Sequence, residues 1–111
     1  MSLIMEDHPE TDARPYVLKA CGDVLIALLA AIVEHPDKVK QVLTIGEHDV
    51  SIELTFEIQA DCARFIGHRG STLSSMRRIF HKIGHRHGYS RLMFTVVDPK
   101  GRRSSRDVQE N

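Results

Sequence analysis

The fold is set largely by residues 50–71, which read VSIELTFEIQADCARFIGHRGS. Apolar residues occupy every second position from Val50 to Ile58, and every residue between them is polar, which predicts a strand with one buried and one wet face. Asp61 is a suitable N-cap for a short helix over Cys62–Ile66, and Gly67 ends that helix. A strand, a short helix and a glycine-flanked turn are therefore predicted in succession.

A longer helix and another strand are predicted before this stretch. Apolar residues recur at steps of three and four over residues 15–33, and Pro15 suits a first helical turn. The segment Glu34–Pro36 ends the helix, because the residue before a proline is driven out of the helical conformation. Residues 39–45 are rich in β-branched side chains, and the turn at residues 46–49 joins them to the alternating strand as an antiparallel hairpin.

A second long helix and a last strand are predicted after the glycines. Ser71 or Thr72 caps this helix, which runs toward His85, and Gly88 provides a left-handed stop. Residues 92–97 form the last strand. The order helix, strand, strand, helix, glycine loop, helix, strand predicts a two-layer α+β domain, in which helices cover one face of a three-stranded sheet.

This domain is expected to span residues 15–98. Residues 1–14 are polar and acidic and predict a flexible N-terminal arm. Residues 99–111 are charged and contain serine, and they predict a flexible basic C-terminal tail.

Charge is distributed unevenly along a chain whose formal net charge is zero. Residues 1–61 contain four Lys or Arg and twelve Asp or Glu, a formal charge of −8, whereas residues 62–106 contain eleven Lys or Arg and one acidic residue, a formal charge of +10. Such asymmetry indicates a polyanionic partner, unless the two halves neutralise each other within the fold.

The loop Gly67-His68-Arg69-Gly70 has the composition of a phosphate-binding turn. Two glycines leave its outer surface without bulk, so that a polyanionic backbone can approach closely. The backbone N–H groups from His68 to Ser71 are expected to lie at the start of the second long helix, whose dipole favours an anion, and Arg69 adds a permanent charge. A plain flexible connection between two helices is the alternative interpretation.

The outward face of the second long helix is predicted to be basic. It carries no carboxylate, although exposed helix faces usually mix both signs, and it consists of Ser74, Arg77, Arg78, His81 and His85, with Lys82 at its margin. A solvated surface without a ligand is the alternative.

Three features, taken in order, give the chain a resemblance to a known family. They are the helix that ends in Glu34-His35-Pro36-Asp37, the alternating strand Val50–Ile58, and the sequence Ile66-Gly67-His68-Arg69-Gly70. Over residues 17–97 the chain resembles a type II KH domain, and in particular the small bacterial KH proteins of the KhpA type.

This resemblance implies a protein that grips single-stranded RNA, with about four nucleotides held across the GxxG loop and the adjoining groove. It places Gly67, His68, Arg69 and Gly70 in the loop and Ile66 in the apolar floor beneath the bases. The basic face suggests further RNA contacts from Ser71, Ser74, Arg77, Arg78 and His81. His68 departs from the family, in which lysine is typical at this position. The resemblance also implies association, as a homodimer or as a heterodimer with a second KH protein of the KhpB or Jag type. A module that acts mainly through such a partner is therefore the alternative function.

Other function classes find little support in the sequence. The serines near the loop lack a nucleophile elbow or a positioned acid, and His81 and His85 lack a third metal ligand. Cys21 and Cys62 are isolated and are expected to be buried thiols. We expect no enzymatic activity, no metal or cofactor, no membrane span and a cytoplasmic location.

Overall fold

The computed structural model describes residues 14–107 and consists of three α-helices and four β-strands. The helices are α1 (Arg14–Ile32), α2 (Gln59–Ile66) and α3 (Ser71–Arg86), and the strands are β1 (Val39–Ile45), β2 (Asp49–Phe56), β3 (Arg91–Val97) and β4 (Arg103–Asp107). Short 3₁₀ turns cover Pro36–Lys38 and His68–Gly70. Every element predicted from the sequence is present within two or three residues of its expected bounds. The predicted arm falls mainly on residues 1–13, outside the described residues.

The sheet has the order β1-β2-β3-β4. The first and last neighbouring pairs are antiparallel, whereas β2 and β3 run parallel and are connected by α2 and α3. The predicted hairpin of β1 and β2 is confirmed. The predicted three-stranded sheet is wrong, because β4 pairs with β3 within the segment 99–111 that the sequence assigned to a tail.

The alternating strand supplies the centre of the hydrophobic core. Its inward residues, from Val50 to Phe56, are at most 1% exposed and face the helices, whereas the residues between them are half-buried. α1 contributes an apolar stripe from Val17 to Leu29 to the same core, and Val33, which follows the helix, extends it. None of the helices in the described part of the chain is long and apolar enough to cross a bilayer.

Four buried phenylalanines fix α2 and α3 relative to the sheet. The ring of Phe94 on β3 lies 6.3 Å from that of Phe65 on α2 and 5.2 Å from that of Phe80 on α3, measured between ring centroids. Phe56 on β2 extends the series to Phe65 at 5.5 Å. Aromatic pairs at these separations add to the stabilisation from apolar burial. The two helices that flank the glycine loop are therefore held by one shared aromatic contact.

Two predicted helix caps are wrong. Asp61 lies inside α2, whose N-cap is Ile58, because the helix begins earlier than the sequence predicted. The N-cap of α3 is Gly70, and no side chain among the described residues caps that helix. The hydroxyl of Ser75 instead donates to the carbonyl of Ser71 at 3.0 Å.

Candidate nucleic-acid interface

The GxxG loop is a tight turn that its two glycines make possible. Gly67 has φ 83° and ψ 174°, and Gly70 has φ 76° and ψ 13°, backbone conformations that residues with a β-carbon rarely adopt. A β-carbon at Gly67 would also lie 2.9 Å from the backbone nitrogen of Thr72. The N–H of Gly67 donates to the carbonyl of Ala63 and closes α2, while the N–H of Gly70 donates back to Gly67.

The two residues between the glycines present unused donors to solvent. His68 and Arg69 are exposed, and within the described residues neither their side chains nor their backbone N–H groups make a hydrogen bond. The N–H of Ser71 donates to the carbonyl of His68. Of the four N–H groups predicted for a phosphate, those of Gly70 and Ser71 are therefore used within the turn, and those of His68 and Arg69 remain.

α3 continues this surface away from the loop. Its 16 residues include no carboxylate, and Ser74, Arg78, Lys82 and His85 are exposed along it. His81 is half-buried, with its ring centroid 6.2 Å from that of His85, and its Nδ1 atom has no hydrogen-bond partner within the described residues. The exposed basic face predicted from the sequence is thus present at most of its predicted positions.

Arg77 lies apart from that exposed face. Its guanidinium group is half-buried and donates to the carbonyl of Phe94 from Nε at 3.2 Å and from Nη2 at 2.9 Å. Nη2 also donates to the carbonyl of Ser104 on β4 at 2.9 Å. Arg77 therefore ties α3 to the two last strands of the sheet.

A groove of about 240 Å³ lies between the end of α2, the end of β3 and the turn that leads into β4. Ile66, which directly precedes Gly67, lines one side and is partly buried against the core. Val96 lines it from β3, and the remaining lining residues are Asp98, Arg102, Arg103 and Ser104. The groove thus has Ile66 as its main apolar residue, because Val96 is only 1% exposed, and its other lining residues belong to the turn before β4 and to β4 itself.

Asp61 organises a cluster that the sequence did not reveal. Its carboxylate is 1% exposed and accepts hydrogen bonds from the backbone N–H groups of Glu34 and His35, each at 3.1 Å. The ring nitrogen Nδ1 of His35 and Nη1 of Arg64 lie 3.2 Å from the same carboxylate. Burial alone would raise the pKa of Asp61, but these hydrogen bonds and the charge of His35 hold it below its usual value. Asp61 therefore anchors the end of α1 to α2.

This cluster resembles a cation site but already contains a cation. Glu34, His35 and Asp61 place one ligand atom each within 4.8 Å of one another. Arg64 lies between the carboxylates, with Nη1 3.2 Å from Asp61 and 3.7 Å from Glu34. Because a guanidinium group occupies the space between the acids, we assign the cluster a structural role.

The two cysteines are buried free thiols, as expected. Burial raises the pKa of the Cys21 thiol to about 11. Burial also raises the pKa of Cys62, and the nearby charge of Asp98 adds to that shift. Both groups are therefore protonated near neutrality, whereas a reactive cysteine needs the thiolate.

Comparison with known families identifies the domain. A family model that describes the KhpA/KhpB KH domain matches residues 22–96. The chain belongs to the KhpA/KhpB family. The match runs from α1 through the GxxG loop into β3, and KH domains are nucleic-acid-binding modules. RNA binding is therefore the general function that the family indicates, and the KhpA/KhpB match ends before β4.

Comparison with curated proteins and with solved structures gives no significant match. The KhpA/KhpB assignment accordingly rests on the family model.

Proposed function

We propose that this protein binds single-stranded RNA at its GxxG loop, with the strand continuing along the exposed basic face of α3. One observation carries the proposal. Within residues 14–107, His68 and Arg69 have no hydrogen-bond partner for their side chains or backbone N–H groups, and they lie at the start of a helix that contains no carboxylate. Unused donors at a helix N-terminus, next to a permanent positive charge, favour a phosphate.

Each predicted site residue has a role in this proposal. Gly67 and Gly70 permit close approach of the RNA backbone, and Ile66 supplies an apolar surface for a base. The phosphates next to the loop contact His68, Arg69 and Ser71, and those farther along contact Ser74, Arg78 and His81. Arg77 acts indirectly, by holding the strands on which the groove is built.

The central test replaces both loop side chains with aspartate. The variant His68→Asp/Arg69→Asp should lose binding of a short fluorescent single-stranded RNA, because two negative charges then face the phosphates. The turn itself should persist, since Asp is among the residues that tolerate the left-handed conformation of Arg69. Fluorescence anisotropy measures the affinity, and circular dichroism and thermal unfolding report the fold.

A matched control separates the loop from net charge. Lys40→Asp/Thr44→Asp makes the same formal charge change at exposed positions on β1, at the opposite edge of the sheet. This control should retain most of the parent's affinity. Equal loss in both variants, or undiminished affinity in a folded loop variant, would remove the loop from the binding site.

Association with another KH protein is the second candidate function. Ile26 on α1 is 58% exposed and Ile79 on α3 is 47% exposed, so apolar side chains are available for a protein contact. An RNA binder purified from cells should carry excess absorbance at 260 nm that ribonuclease removes. Association would be favoured as the main function by two results together. The purified protein would lack this absorbance, and Ile26→Lys would lower its molar mass measured by light scattering.

A further inference from the structure

The sequence before α1 is acidic and has no basic residue of its own. Residues 1–13, which lie outside the described residues, contain four acidic residues and no Lys or Arg. The acids are Glu6, Asp7, Glu10 and Asp12, and we call residues 6–12 the acidic segment. Because α1 begins at Arg14, the position of that helix determines which surface the acidic segment can reach.

α1 ends at the end of the sheet where β2 and β3 end. The carboxylate of Asp61 accepts the N–H groups of Glu34 and His35, just after the helix. β1 begins a few residues later, with Val39 paired to Phe56, the last residue of β2. β3 ends at the same place, because it runs parallel to β2.

α3 ends at the opposite end of the sheet. Its last residue, Arg86, lies five positions before Arg91, the first residue of β3. Between them, the N–H of Ser90 donates to the carbonyl of His48 in the turn between β1 and β2 at 3.0 Å. The C-terminus of α3 therefore lies beside the starts of β2 and β3.

The first residues of α1 extend toward the end of α3. α1 has 19 residues and a length of about 28 Å, similar to the about 26 Å of the eight-residue β2. α1 packs on β1 and α3, and Val17, near its start, is fully buried in the shared core. A helix that ends beside the end of β2 and is as long as the sheet starts near the end of α3.

The exposed cations of α3 lack the carboxylate partners that arginines elsewhere in the fold have. Arg64, Arg102 and Arg103 each pair with a carboxylate. On α3, three exposed cations recur at every fourth position, which places them on one side of the helix, and they have no ion-pair partner within residues 14–107. They are Arg78, Lys82 and Arg86.

We propose that the acidic segment docks on this row of cations in the same molecule and competes with RNA for it. The charges are complementary, and the eight residues from Glu6 to Arg14 extend to about 27 Å, whereas the 16 residues of α3 span about 24 Å. Attachment to the domain gives the segment a high effective concentration at α3, so that weak ion pairs compete with a ligand in solution. The competition rests on the proposed function, whereas the docking does not.

A zero-length crosslink tests the docking without RNA. A carbodiimide joins a carboxylate to an amine where the two are in contact, and Lys82 is the only lysine on α3. Mass spectrometry should find the acidic segment linked to Lys82 more often than to the exposed Lys19, although Lys19 lies nearer to the segment along the chain. Lys82→Arg keeps the charge and removes the amine, so this link should disappear. Equal linking to Lys19 and Lys82 in the parent would overturn the docking.

A mixture of unlabelled and isotope-labelled protein identifies the source of the docked segment. Docking within one molecule gives links only between peptides that carry the same label. Links between differently labelled peptides would assign the segment to a second copy of the chain and overturn the intramolecular proposal.

The competition is tested with a variant that neutralises the acidic segment: Glu6→Gln/Asp7→Asn/Glu10→Gln/Asp12→Asn. This variant should bind a short single-stranded RNA about three- to tenfold more tightly than the parent at ~50 mM salt, because RNA no longer displaces the segment. The gain should shrink toward zero at high salt, which screens the ion pairs. Saturating RNA should also suppress the link to Lys82 in the parent.

A matched control separates the segment from net charge. It neutralises four exposed acids of the folded domain: Asp37→Asn/Glu47→Gln/Asp49→Asn/Glu57→Gln. The formal charge change is the same, and the control should tighten RNA binding much less. Equal tightening in both variants would assign the effect to net charge and overturn the competition.

The outcomes also distinguish this inference from the proposed function. If the segment links to Lys82 but the parent does not bind single-stranded RNA, the docking is supported, and the proposed function and the competition are wrong. If the parent binds RNA through the loop while no link to Lys82 forms and the neutralised variant binds as the control does, the proposed function stands and this inference is wrong.

Discussion

Arg69 holds a backbone conformation that is unusual for a residue with a side chain. Its φ of 55° and ψ of 28° lie in the left-handed region, which costs roughly 1–2 kcal/mol for a residue other than glycine. The surrounding turn imposes this conformation through the two glycines and the hydrogen bond from Gly70 to Gly67. Backbone strain of this kind persists where neighbouring structure enforces it, and it concentrates at functional sites.

His68 gives the first prediction at this scale. Histidine changes charge near neutrality, and a bound phosphate stabilises the charged imidazole, so RNA binding should take up protons. The affinity of the parent should rise as the pH falls from about 8 to about 6. His68→Lys should tighten binding at pH 8 and flatten this dependence, because lysine is charged throughout that range.

Anisotropy titrations at several pH values measure this effect. His48→Lys provides the control, since His48 is an exposed histidine in the turn between β1 and β2. It should leave the pH profile unchanged. A parent affinity that does not vary with pH would remove His68 from the set of phosphate contacts.

Individual side chains show where sequence patterns reach their limit. Helical periodicity assigned Arg77 to the basic face. That face is wide, and periodicity does not predict which of its residues contacts a strand of the sheet. Arg77 binds carbonyls of β3 and β4, and β4 was not predicted. The positions of His68 and Arg69 were predictable because a turn between two glycines leaves its side chains little to contact.

At the scale of elements, the contact between α1 and α2 depends on Asp61. The carboxylate accepts the backbone N–H groups of Glu34 and His35, which follow the end of α1. Because the folded-state pKa of Asp61 lies below its usual 3.8, this contact stabilises the fold above that pH. The stabilisation is lost as the pH falls through the lowered folded-state pKa.

The corresponding prediction concerns Asp61→Asn. Asparagine keeps the size of the side chain but replaces one acceptor oxygen with an NH₂ group that faces the N–H donors, so the variant should be less stable than the parent at pH 7. The difference between their urea midpoints should narrow as the pH approaches 2. Asp37→Asn, at an exposed position in the same turn region, should have little effect at either pH. A difference in urea midpoint between Asp61→Asn and the parent that does not vary with pH would contradict a role for the negative charge of Asp61.

β4 shows why one element was missed while the others were predicted. The sequence Asp98-Pro99-Lys100-Gly101 carries a turn signature, with Asp first, Pro second and Gly fourth, and the N–H of Gly101 donates to the carbonyl of Asp98 at 2.9 Å. Residues 103–107, RSSRD, contain no β-branched or aromatic residue, so their composition gives no indication of a strand. The alternating strand and the amphipathic helices were predictable because an element that buries one face needs apolar residues at a regular spacing. An edge strand joined by a short turn has no such requirement.

At the scale of the whole molecule, the order of the strands separates the acidic half of the sequence from the basic half in space. The strands follow chain order, so the acidic half supplies β1 and β2 and the basic half supplies β3, β4 and the loop. Arg64 and Arg103 of the basic half do pair with acids of the other half. The exposed basic residues of α3 remain, and they give a protein of zero net charge a surface that attracts polyanions.

Phe94 provides the prediction at this scale, because it joins β3 to both helices that flank the loop. Phe94→Ala should lower the free energy of unfolding by about 3–5 kcal/mol, since it leaves a cavity between Phe65 and Phe80. Chemical denaturation measures this loss. Ile79→Ala, at a half-exposed position on α3, should change stability by about 0.5 kcal/mol or less. A loss of similar size in both variants would contradict the central role of Phe94.

The short hairpin of β3 and β4 has a consequence for hydrogen exchange. β2 and β3 pair across a connection that includes two helices, whereas β4 joins β3 through a turn of a few residues. An edge strand with so local a connection can open and reclose while the rest of the sheet stays folded. Backbone amides in β4 should therefore exchange with deuterium faster than those in β2, at a rate set by this local opening. A ligand that binds across the groove would slow exchange in β4 first.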